Sequence, residues 1–412
     1  MPKFGTVIVG AGQGGYQVAA SLREIGYAEP IFLVGDEDEL PYQRPPLSKS
    51  YLLGDVEAER LMFRPRDFYA KQRIEPICGV RAIAIDRFDR RVDLSNGTAL
   101  HYDRLVLATG ARNRKLPVPG ADLDGVMYLR TIADANAIQR HFECSQSIVV
   151  IGAGFIGLEL AAVASKRSKT VTVVEALPRV MSRAVSPITS RFYADEYTRW
   201  GVELLFNARV DVLEGDNGRV SSVTLADGRR IPADLVLVGI GVEPVVDLAT
   251  HASLPVNNGI AVDTTLGTTD PLISAVGDCA SFSYLGRHHI RLESVQNAIE
   301  QARCVARRIV GQGEGYSAVP WFWSDQRDLK LQMVGLTAGC DRHVVRGTIE
   351  SRAFSVFCFA GDRLVGIESV NRGADHVFGR KLIGAGETIS PDEAGDGGFD
   401  LRARLTRLGA CS

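Results

Sequence analysis

The chain has 412 residues, and 47 Lys or Arg against 49 Asp or Glu give it a formal net charge of −2. That length predicts two or three domains, and a composition of 45% hydrophobic and 23% charged residues excludes global disorder. The charge balance does not favour a duplex-binding protein, and the chain contains no apolar run long enough to span a membrane. Glycine is over-represented, at 42 residues, which indicates sharp turns or close approach of the backbone to a ligand.

The seven cysteines are odd in number, widely scattered and contain no C-x-x-C pair. This spacing argues against a disulfide framework, a zinc site and a cysteine-ligated iron–sulfur cluster, so we expect no bound metal. The first residues lead directly into a strand pattern, which leaves no room for a signal peptide. We therefore expect reduced thiols and a cytoplasmic location.

A first glycine-rich turn follows the β-branched run Thr6–Val9, where Gly10, Gly12 and Gly15 form a G-x-G-x-x-G pattern before a helix. A strand, a tight turn and a helix N-terminus are the parts of a dinucleotide pyrophosphate site. Asp36 ends the next strand pattern about 20 residues further on, where an acid binds a ribose hydroxyl. Its neighbour Glu37 is an alternative for that role.

A second copy of this arrangement begins at Ser147–Ile151, continues through the glycines of 152–157 and enters a helix over 158–166. Glu175 then takes the position of the ribose-binding acid, and a carboxylate there repels a 2′-phosphate. The second site is therefore predicted to prefer NADH, although Arg179 is close enough in sequence to bind a phosphate. Because a hydride donor needs an acceptor, the first site is assigned to a tightly held flavin, and FAD fits a dinucleotide fingerprint better than FMN.

The predicted fold class is α/β, with two tandem Rossmann-type dinucleotide-binding domains that carry antiparallel β-meanders, and a C-terminal α+β domain. The meanders are predicted around residues 82–94 and 220–225, and residues 386–398 are expected to form a loop before a short helix. The predicted domains are a discontinuous FAD-binding domain (1–112 and 242–319), an NADH-binding domain (113–241) and a C-terminal interface domain (320–412).

Six motifs distributed over nearly the whole chain carry a family resemblance. They are Gly10-x-Gly12-x-x-Gly15, Leu40-Pro41-Tyr42-Gln43-Arg44-Pro45-Pro46-Leu47-Ser48-Lys49, Ala108-Thr109-Gly110, Gly152-x-Gly154-x-x-Gly157-x-Glu159, Val276-Gly277-Asp278 and Phe322-Trp323-Ser324-Asp325-Gln326. With these motifs the sequence resembles the NADH-dependent ferredoxin reductases of bacterial oxygenase systems, which belong to the glutathione-reductase-like flavoprotein superfamily.

The resemblance implies roles for individual residues. It places Lys49 and Glu159 as a catalytic pair beside the flavin and nicotinamide rings, Asp278 on the ribityl chain, and Trp323 over the flavin where a ferredoxin docks. Two positions have plainer alternatives, because Asp278 could be a helix N-cap and Glu159 an ordinary helix charge. The implied FAD-binding residues are Gly10, Gly12, Gly14, Gly15, Asp36, Arg44, Pro46, Lys49, Ala82, Ala108, Thr109, Gly110, Arg130, Gly277, Asp278, Ser294, Val295, Gln296 and Trp323. The implied NADH-binding residues are Gly152, Gly154, Phe155, Ile156, Gly157, Glu159, Glu175 and Gly241.

The expected activity is electron transfer from NADH through FAD to an acidic [2Fe–2S] ferredoxin that supplies a haem monooxygenase or a ring-hydroxylating dioxygenase. The stretch 44–49 lacks the cysteine pair that disulfide reductases of this superfamily place beside the flavin, which disfavours disulfide reduction. Two alternatives stay open: a related enzyme that reduces rubredoxin, monodehydroascorbate or oxygen, and an apoptosis-factor-like flavoprotein that acts by binding. The ferredoxin is expected to dock near Trp323 on a basic rim comprising Arg64, Arg66, Arg303 and Arg307, with Arg308 beside them.

Overall fold

The computed structural model of the protein describes residues 4–284 and 286–409. Up to Asn113 the elements are β1 (Thr6–Val9), α1 (Gln13–Glu24), β2 (Ile31–Val34), α2 (Ser50–Leu53), α3 (Arg66–Lys71), β3 (Ile74–Ile77), β4 (Ala82–Asp86), β5 (Arg91–Leu94), β6 (Ala99–His101), β7 (Arg104–Leu107) and β8 (Ala111–Asn113). The next are β9 (Val126–Tyr128), α4 (Ile132–Cys144), β10 (Ser147–Ile151), α5 (Phe155–Lys166), β11 (Thr170–Val174), α6 (Pro187–Arg199), β12 (Val202–Leu205), β13 (Val210–Asp216), β14 (Arg219–Leu225), β15 (Arg230–Pro232) and β16 (Leu235–Val238).

The remaining elements are β17 (Val242–Pro244), α7 (Asp247–His251), β18 (Ile260–Ala261), β19 (Ile273–Ala275), β20 (Ala280–Tyr284), β21 (Arg287–Ile290), α8 (Val295–Ile309), β22 (Trp321–Gln326), β23 (Leu329–Gly335), β24 (Arg342–Thr348), β25 (Ala353–Ala360), β26 (Arg363–Val370), α9 (Gly373–Gly384), α10 (Pro391–Gly395) and α11 (Leu401–Gly409). Short 3-10 helices occupy Pro45–Ser48, Ala58–Leu61, Gly277–Cys279 and Ile349–Ser351. None of these helices, within the part of the chain that the structure describes, is long and apolar enough to cross a membrane.

The chain divides into two compact units. The first comprises the residues up to Gln43, Ala58–Arg112 and Val242–Ala318, and the second comprises Arg44–Glu57, Asn113–Gly241 and the residues from Val319 onward. The C-terminal sheet therefore belongs to the same compact unit as the second glycine-rich turn. The boundaries of the three predicted domains stay a prediction.

A parallel five-stranded sheet forms the centre of the first unit, in the order β19-β7-β1-β2-β3. All four residues of β1 are buried, as expected for strands that are covered on both faces. Because the strands are parallel, β1, β7 and β19 end at the same edge of the sheet. The predicted meander is present as the antiparallel sheet β4-β5-β6.

The second unit contains a parallel sheet of the same kind, in the order β12-β11-β10-β16-β9. Its central strand β10 is flanked by β11 and β16, as β1 is flanked by β2 and β7 in the first unit. The antiparallel sheet β13-β14-β15 is the second predicted meander. The predicted duplication of a Rossmann-type core is thereby confirmed.

The C-terminal part of the second unit is an antiparallel sheet in the order β22-β23-β26-β25-β24. The apolar side chains of β25 and β26 pack with α9 in a core that includes Phe357, Ile367 and Phe378. The prediction of a loop over residues 386–398 was wrong at α10. That short helix is started by a capping box between Ser390 and Glu393, a pattern with known preference for helix N-termini.

Candidate functional site

The first glycine-rich turn brings the end of β1 against the start of α1. A Cβ atom at Gly10 (φ +109°) would lie 2.1 Å from the Ala108 carbonyl oxygen, and one at Gly15 would lie 1.8 Å from the Gly10 carbonyl oxygen. Only glycine permits this close packing of strand and helix. At Gly12, the N-cap of α1, a Cβ would meet no heavy atom of the described residues within 4 Å. The space beside Gly12 at the start of α1 is therefore free of described protein atoms, and a helix N-terminus with such space beside it fits a bound pyrophosphate.

Other residues implied in FAD binding lie at the same edge of this sheet. Ala108, Thr109 and Gly110 follow β7, and the Thr109 hydroxyl donates to the Val245 carbonyl oxygen at 2.6 Å. Gly14 lies beside Val276, because a Cβ at Gly14 would be 3.2 Å from Val276 Cγ2.

Gly277 and Asp278 follow Val276 in a single 3-10 turn that leads directly into β20. Asp278 lies within that turn and not at its N-cap, which removes the helix N-cap alternative. The Gly277 N–H donates to Gln301 Oε1 on α8 at 2.7 Å, which ties the turn to that helix.

The helix α8 begins as the family resemblance implied. Ser294 is its N-cap and accepts a hydrogen bond from the Asn297 N–H at 3.1 Å, so Val295 and Gln296 occupy the first helical turn. Their N–H groups are at the positive end of a 15-residue helix dipole.

Two further implied FAD residues, Asp36 and Ala82, differ in their exposure to solvent. Asp36 follows β2 with a side chain that is 56% exposed and forms a 3.3 Å ion pair with Arg81. Its neighbour Glu37 is less exposed and accepts from the Tyr42 hydroxyl at 2.5 Å. Ala82 is buried at the start of β4.

The second glycine-rich turn repeats the geometry of the first. A Cβ at Gly152 (φ +99°) would lie 2.5 Å from the Gly239 carbonyl oxygen, and one at Gly157 would lie 2.0 Å from the Gly152 carbonyl oxygen. At Gly154, the N-cap of α5, a Cβ would again meet no described atom within 4 Å. Gly241 (φ +100°) follows β16. The two turns thus form equivalent cradles for two dinucleotides.

Glu175 follows β11 in the second unit. Its two carboxylate oxygens accept from the Ala153 N–H at 2.6 Å and from the Leu177 N–H at 2.8 Å, which fixes the side chain beside the glycine turn. The guanidinium of Arg179 is engaged elsewhere, because it donates to the carbonyl oxygens of Val185 and Ser182 at 2.8 and 2.7 Å. A fixed carboxylate with an engaged arginine fits a ribose hydroxyl and not a 2′-phosphate.

Glu159 lies on α5, directly after the second turn, and its side chain is only 2% exposed. Lys49 Nζ lies 2.7 Å from Glu159 Oε2, and the Ser48 hydroxyl donates to the same oxygen at 2.5 Å. The Ser324 hydroxyl donates to Oε1 at 2.6 Å. A buried carboxylate with a cation and two hydroxyl donors is not an ordinary helix charge, which removes that alternative.

One of the donors to Glu159, Ser324, is itself held in place by a second residue of β22. Gln326 Nε2 donates to the Ser324 hydroxyl at 3.1 Å, and Gln326 Oε1 accepts from Tyr197 at 2.9 Å. Complete burial raises the pKa of the Tyr197 hydroxyl well above its usual value, so it stays protonated as a donor. Serine hydroxyls of this kind carry no periodic pattern in a sequence, so the pattern predicts no role for Ser48 or Ser324.

An aromatic cluster surrounds the same strand. Trp323 is half-buried, with its ring centroid 5.5 Å from that of Trp321. The Phe155 and Phe322 rings are 4.5 Å apart, while Ile156 is 46% exposed at the start of α5. Trp321 also packs against the C-terminal core.

The segment Pro45–Ser48 carries the remaining implied FAD residues. Arg44 precedes this 3-10 helix, and its guanidinium donates to the Arg130 carbonyl oxygen at 2.6 Å. Pro46 lies within the 3-10 helix. Arg130 precedes α4, whose start is fixed by a capping box between Thr131 and Asp134.

The predicted docking arginines of the first unit are exposed. Arg64 and Arg66 lie around the start of α3, and Arg303 and Arg307 lie one turn apart on α8. Arg303 forms a 2.8 Å ion pair with Glu300. Arg308 has a structural role instead, because it donates to Thr265, Ser274 and the Pro271 carbonyl oxygen.

Two dinucleotide cradles on duplicated parallel sheets define a flavin- and nicotinamide-dependent oxidoreductase. The chain belongs to the Pyridine nucleotide-disulphide oxidoreductase family, which matches residues 4–302, and residues 321–405 match a Reductase C-terminal domain. It is 50% identical to rhodocoxin reductase of Rhodococcus erythropolis over 402 residues, which cover 97% of this chain and 94% of that protein.

Solved structures show the same likeness. The ferredoxin reductase for the CYP199A2 system from Rhodopseudomonas palustris superposes with a TM-score of 0.96 at 49% identity, covering 97% of this chain and 99% of that one. The reductase in the covalent putidaredoxin reductase–putidaredoxin complex superposes with a TM-score of 0.95 at 42% identity, covering 99% of each chain. The resemblance to ferredoxin reductases inferred from the motifs is confirmed.

Proposed function

We propose that the protein is an FAD-dependent NADH:ferredoxin oxidoreductase that delivers electrons to an oxygenase system. The observation that carries this proposal is the pair of equivalent glycine cradles, at Gly10–Gly15 and at Gly152–Gly157. It is supported by relatives and solved neighbours over nearly the full chain, which are named as reductases of rhodocoxin, putidaredoxin and a ferredoxin.

In this proposal the first cradle holds FAD. The α1 N-terminus at Gly12 receives the pyrophosphate, while Asp36 binds the adenosine ribose and Asp278 the ribityl hydroxyls. The N–H groups at Val295 and Gln296 stabilise negative charge on the pyrimidine end of the ring. These roles, with those of the other residues implied by the family resemblance, are part of the proposal.

The second cradle holds NADH with its pyrophosphate at Gly154 and its adenosine ribose on Glu175. Bound FAD supplies a hydride acceptor for NADH and a donor of single electrons for a ferredoxin. No side chain acts as a nucleophile. The chain contributes by positioning the two cofactors and by fixing charge where it is needed.

Lys49 and Glu159 provide that fixed charge. A lysine held at 2.7 Å by a buried carboxylate keeps its orientation. The hydroxyl donors on Ser48 and Ser324 prevent the Glu159 carboxylate from turning away. We propose that the lysine stabilises the negative charge that accompanies reduction.

The acceptor is proposed to be an acidic [2Fe–2S] ferredoxin that docks near Trp323 and the exposed Arg64, Arg66, Arg303 and Arg307. The reaction is placed in the cytoplasm. The six cysteines that the structure describes are free thiols, as is usual in a reducing compartment.

The test is turnover of the FAD-loaded protein with NADH and a panel of acceptors. A [2Fe–2S] ferredoxin with cytochrome c as the final readout is compared with cytochrome c alone, rubredoxin, the monodehydroascorbate radical and oxygen. We expect kcat/KM for the ferredoxin to exceed that of every other acceptor by at least about 10-fold. Cytochrome c reduction that is independent of ferredoxin, or faster reduction of rubredoxin, would overturn the proposed acceptor.

A further inference from the structure

Three potential metal ligands lie together in the C-terminal sheet, on the edge strand β24, in the turn before it and on the neighbouring strand β25. His343 and Cys358 are direct partners in the antiparallel pairing of these strands. Cys340 lies in the turn before β24, and its Sγ is 3.3 Å from His343 Nε2. The two sulfur atoms and the imidazole nitrogen all lie within 4.8 Å of one another.

We propose that Cys340, His343 and Cys358 form a binding site for one Zn²⁺ ion. In a tetrahedral zinc site, Zn–S bonds of about 2.3 Å and Zn–N bonds of about 2.0 Å place neighbouring ligand atoms roughly 3.5–3.8 Å apart. The Cys340–His343 separation of 3.3 Å is close to these values, and no two of the three ligand atoms are more than 4.8 Å apart, so small rotations of the side chains suffice to close the site. Two sulfurs and one imidazole are also the ligand set that a soft or borderline cation prefers.

The surroundings suit an ion at this place. Two thiolates neutralise the charge of Zn²⁺, so binding adds no net charge next to the buried carboxylate of Glu368, whose Oε1 lies 3.9 Å from Cys358 Sγ. The Glu368 carboxylate is held by the N–H and hydroxyl of Ser186, both at 2.7 Å. Cys340 and His343 are only partly buried, which leaves an approach for the ion and a fourth position for water.

The site ties the turn before an edge strand to the interior of the sheet. In the structure this turn is held by backbone hydrogen bonds from the Cys340 N–H to Thr337 and from the Asp341 N–H to Phe359, at 3.0 and 2.9 Å. The Gly361 N–H also donates to the Asp341 carboxylate at 3.1 Å. An ion bound by all three side chains would link Cys340 and His343 to Cys358 on β25. Its proposed role is therefore structural and separate from the transfer of electrons from NADH.

No metal is expected from the sequence, because the chain lacks a C-x-x-C pair. The first two proposed ligands instead have the spacing Cys340-x-x-His343, and the third comes from the next strand of the sheet. Strand pairing, which the spacing of cysteines does not reveal, assembles the cluster.

The experiment uses the full FAD-loaded chain, with its thiols reduced and metals removed, and titrates it with Co²⁺ and Zn²⁺ against a chromophoric chelator. We expect one ion per chain and a thiolate-to-cobalt charge-transfer band in the wild type and in the control Cys144→Ser, which changes an exposed cysteine. Cys340→Ser and His343→Gln should each weaken binding by about 100-fold or more, because changes to residues that merely orient metal ligands already cost 10–100-fold. Uptake by the wild type that does not exceed that of Cys340→Ser overturns the proposal.

A second measurement needs no variant. Zn²⁺ should protect Cys340 of the wild type from alkylation, as followed by mass spectrometry of its peptide, and should leave the alkylation of Cys144 unchanged. Equal alkylation of Cys340 with and without Zn²⁺ overturns the proposal. So does a Cys340–Cys358 disulfide that forms equally in the presence and absence of Zn²⁺, because the pair would then be a redox couple and not a metal site.

Discussion

Lys49 Nζ lies 2.7 Å from Glu159 Oε2, although the two residues are far apart in sequence and Glu159 is on a helix that begins at a dinucleotide cradle. The lysine is 20% exposed and the glutamate 2% exposed. The carboxylate of Glu159 is therefore buried, and the ammonium group of Lys49 is the more accessible group of the pair. Such an arrangement presents a fixed positive charge.

Glu159→Gln should slow the reduction of bound FAD by NADH. The amide keeps the shape of the side chain but removes the charge that orients Lys49, so we expect the rate constant to fall about 10-fold or more. FAD content should be unchanged. Stopped-flow measurement of flavin bleaching gives the rate directly, and Glu143→Gln, at an exposed position on α4, serves as the control. A rate equal to that of the control would remove Glu159 from the proposed mechanism.

The two helix N-caps allow one substitution to be tested in both cradles. An alanine Cβ at Gly12 or Gly154 meets no described protein atom within 4 Å, so both variants should fold. The added methyl group would instead project towards a bound pyrophosphate. Gly12→Ala should therefore lower FAD content, whereas Gly154→Ala should raise the KM for NADH about 10-fold with normal FAD content.

Each of these glycine variants is the control for the other, with absorbance at the flavin band and steady-state kinetics as the two readouts. If the effects were exchanged between them, the assignment of FAD to the first cradle and NADH to the second would be reversed. Gly397→Ala, where a Cβ also meets no described atom, should change neither quantity.

Glu175→Ala should lower the ratio of kcat/KM for NADH to kcat/KM for NADPH. Loss of hydrogen bonds to a charged acceptor should lower kcat/KM for NADH by about 10–100-fold. The value for NADPH should change less, because the carboxylate that repels its 2′-phosphate is gone. Glu175 also accepts from the Ala153 N–H, and a purely structural loss would lower both values equally. The exposed Asp216→Ala is the control, and equal kcat/KM for NADH and NADPH in the wild type would refute the preference.

Arg307→Glu should weaken docking of an acidic ferredoxin without affecting NADH oxidation. Reversing an exposed charge at an interface acts mainly on association, so we expect KM for the ferredoxin to rise about 10-fold at low salt and the effect to shrink as salt is added. The rate of NADH–ferricyanide turnover should stay constant. Arg209→Glu, an exposed position in the second unit, is the matched control. A ferredoxin KM that is independent of salt would contradict an electrostatic docking surface.

His376 should make the protein less stable as the pH falls. Burial, assisted by the nearby Arg380, lowers the pKa of this imidazole from 6.5 to about 4. The unfolded chain therefore binds a proton below about pH 6.5 that the folded protein takes up only near pH 4, and the free energy of unfolding falls between those values. The contribution of one such group is about 3 kcal/mol.

Urea unfolding at several pH values tests this point. His376→Leu should show a smaller loss of stability between neutral and acidic pH than the wild type, whatever its stability at neutral pH. His251→Leu, which changes an exposed histidine on α7, should retain the slope of the wild type. Parallel slopes in the wild type and His376→Leu would show that the imidazole does not titrate differently on folding.

The two cradles and both parallel sheets could be predicted because their determinants are local. A β-branched strand, glycines at fixed spacing and an amphipathic helix lie next to one another along the chain, as at Thr6–Val9 and Gly10–Gly15. The meanders were predictable for the same reason. The strands of the C-terminal sheet were also recognisable, but their spatial order was not, since β26 inserts between β23 and β25.

The surroundings of Glu159 could not be predicted in this way. Ser324 is 165 residues away in sequence, and a single serine hydroxyl gives no periodic signal. The family motifs contain both Ser48 and Ser324 but do not indicate that the two converge on one carboxylate. Likewise, the commitment of Arg179 to backbone carbonyls depends on a loop conformation that no short pattern encodes.

The hydrogen-bonded series Tyr197–Gln326–Ser324–Glu159 limits how independently the C-terminal sheet can be exchanged. It joins α6, β22 and α5, so the C-terminal sheet supplies a donor to the carboxylate that holds Lys49. Exchange of this sheet between related reductases, as a way to change the partner, would also alter the environment of that carboxylate. A chimaera that keeps residues equivalent to Ser324 and Gln326 should acquire the partner preference of the donor reductase with little loss of catalytic rate. A chimaera that lacks these residues should lose both partner preference and catalytic rate.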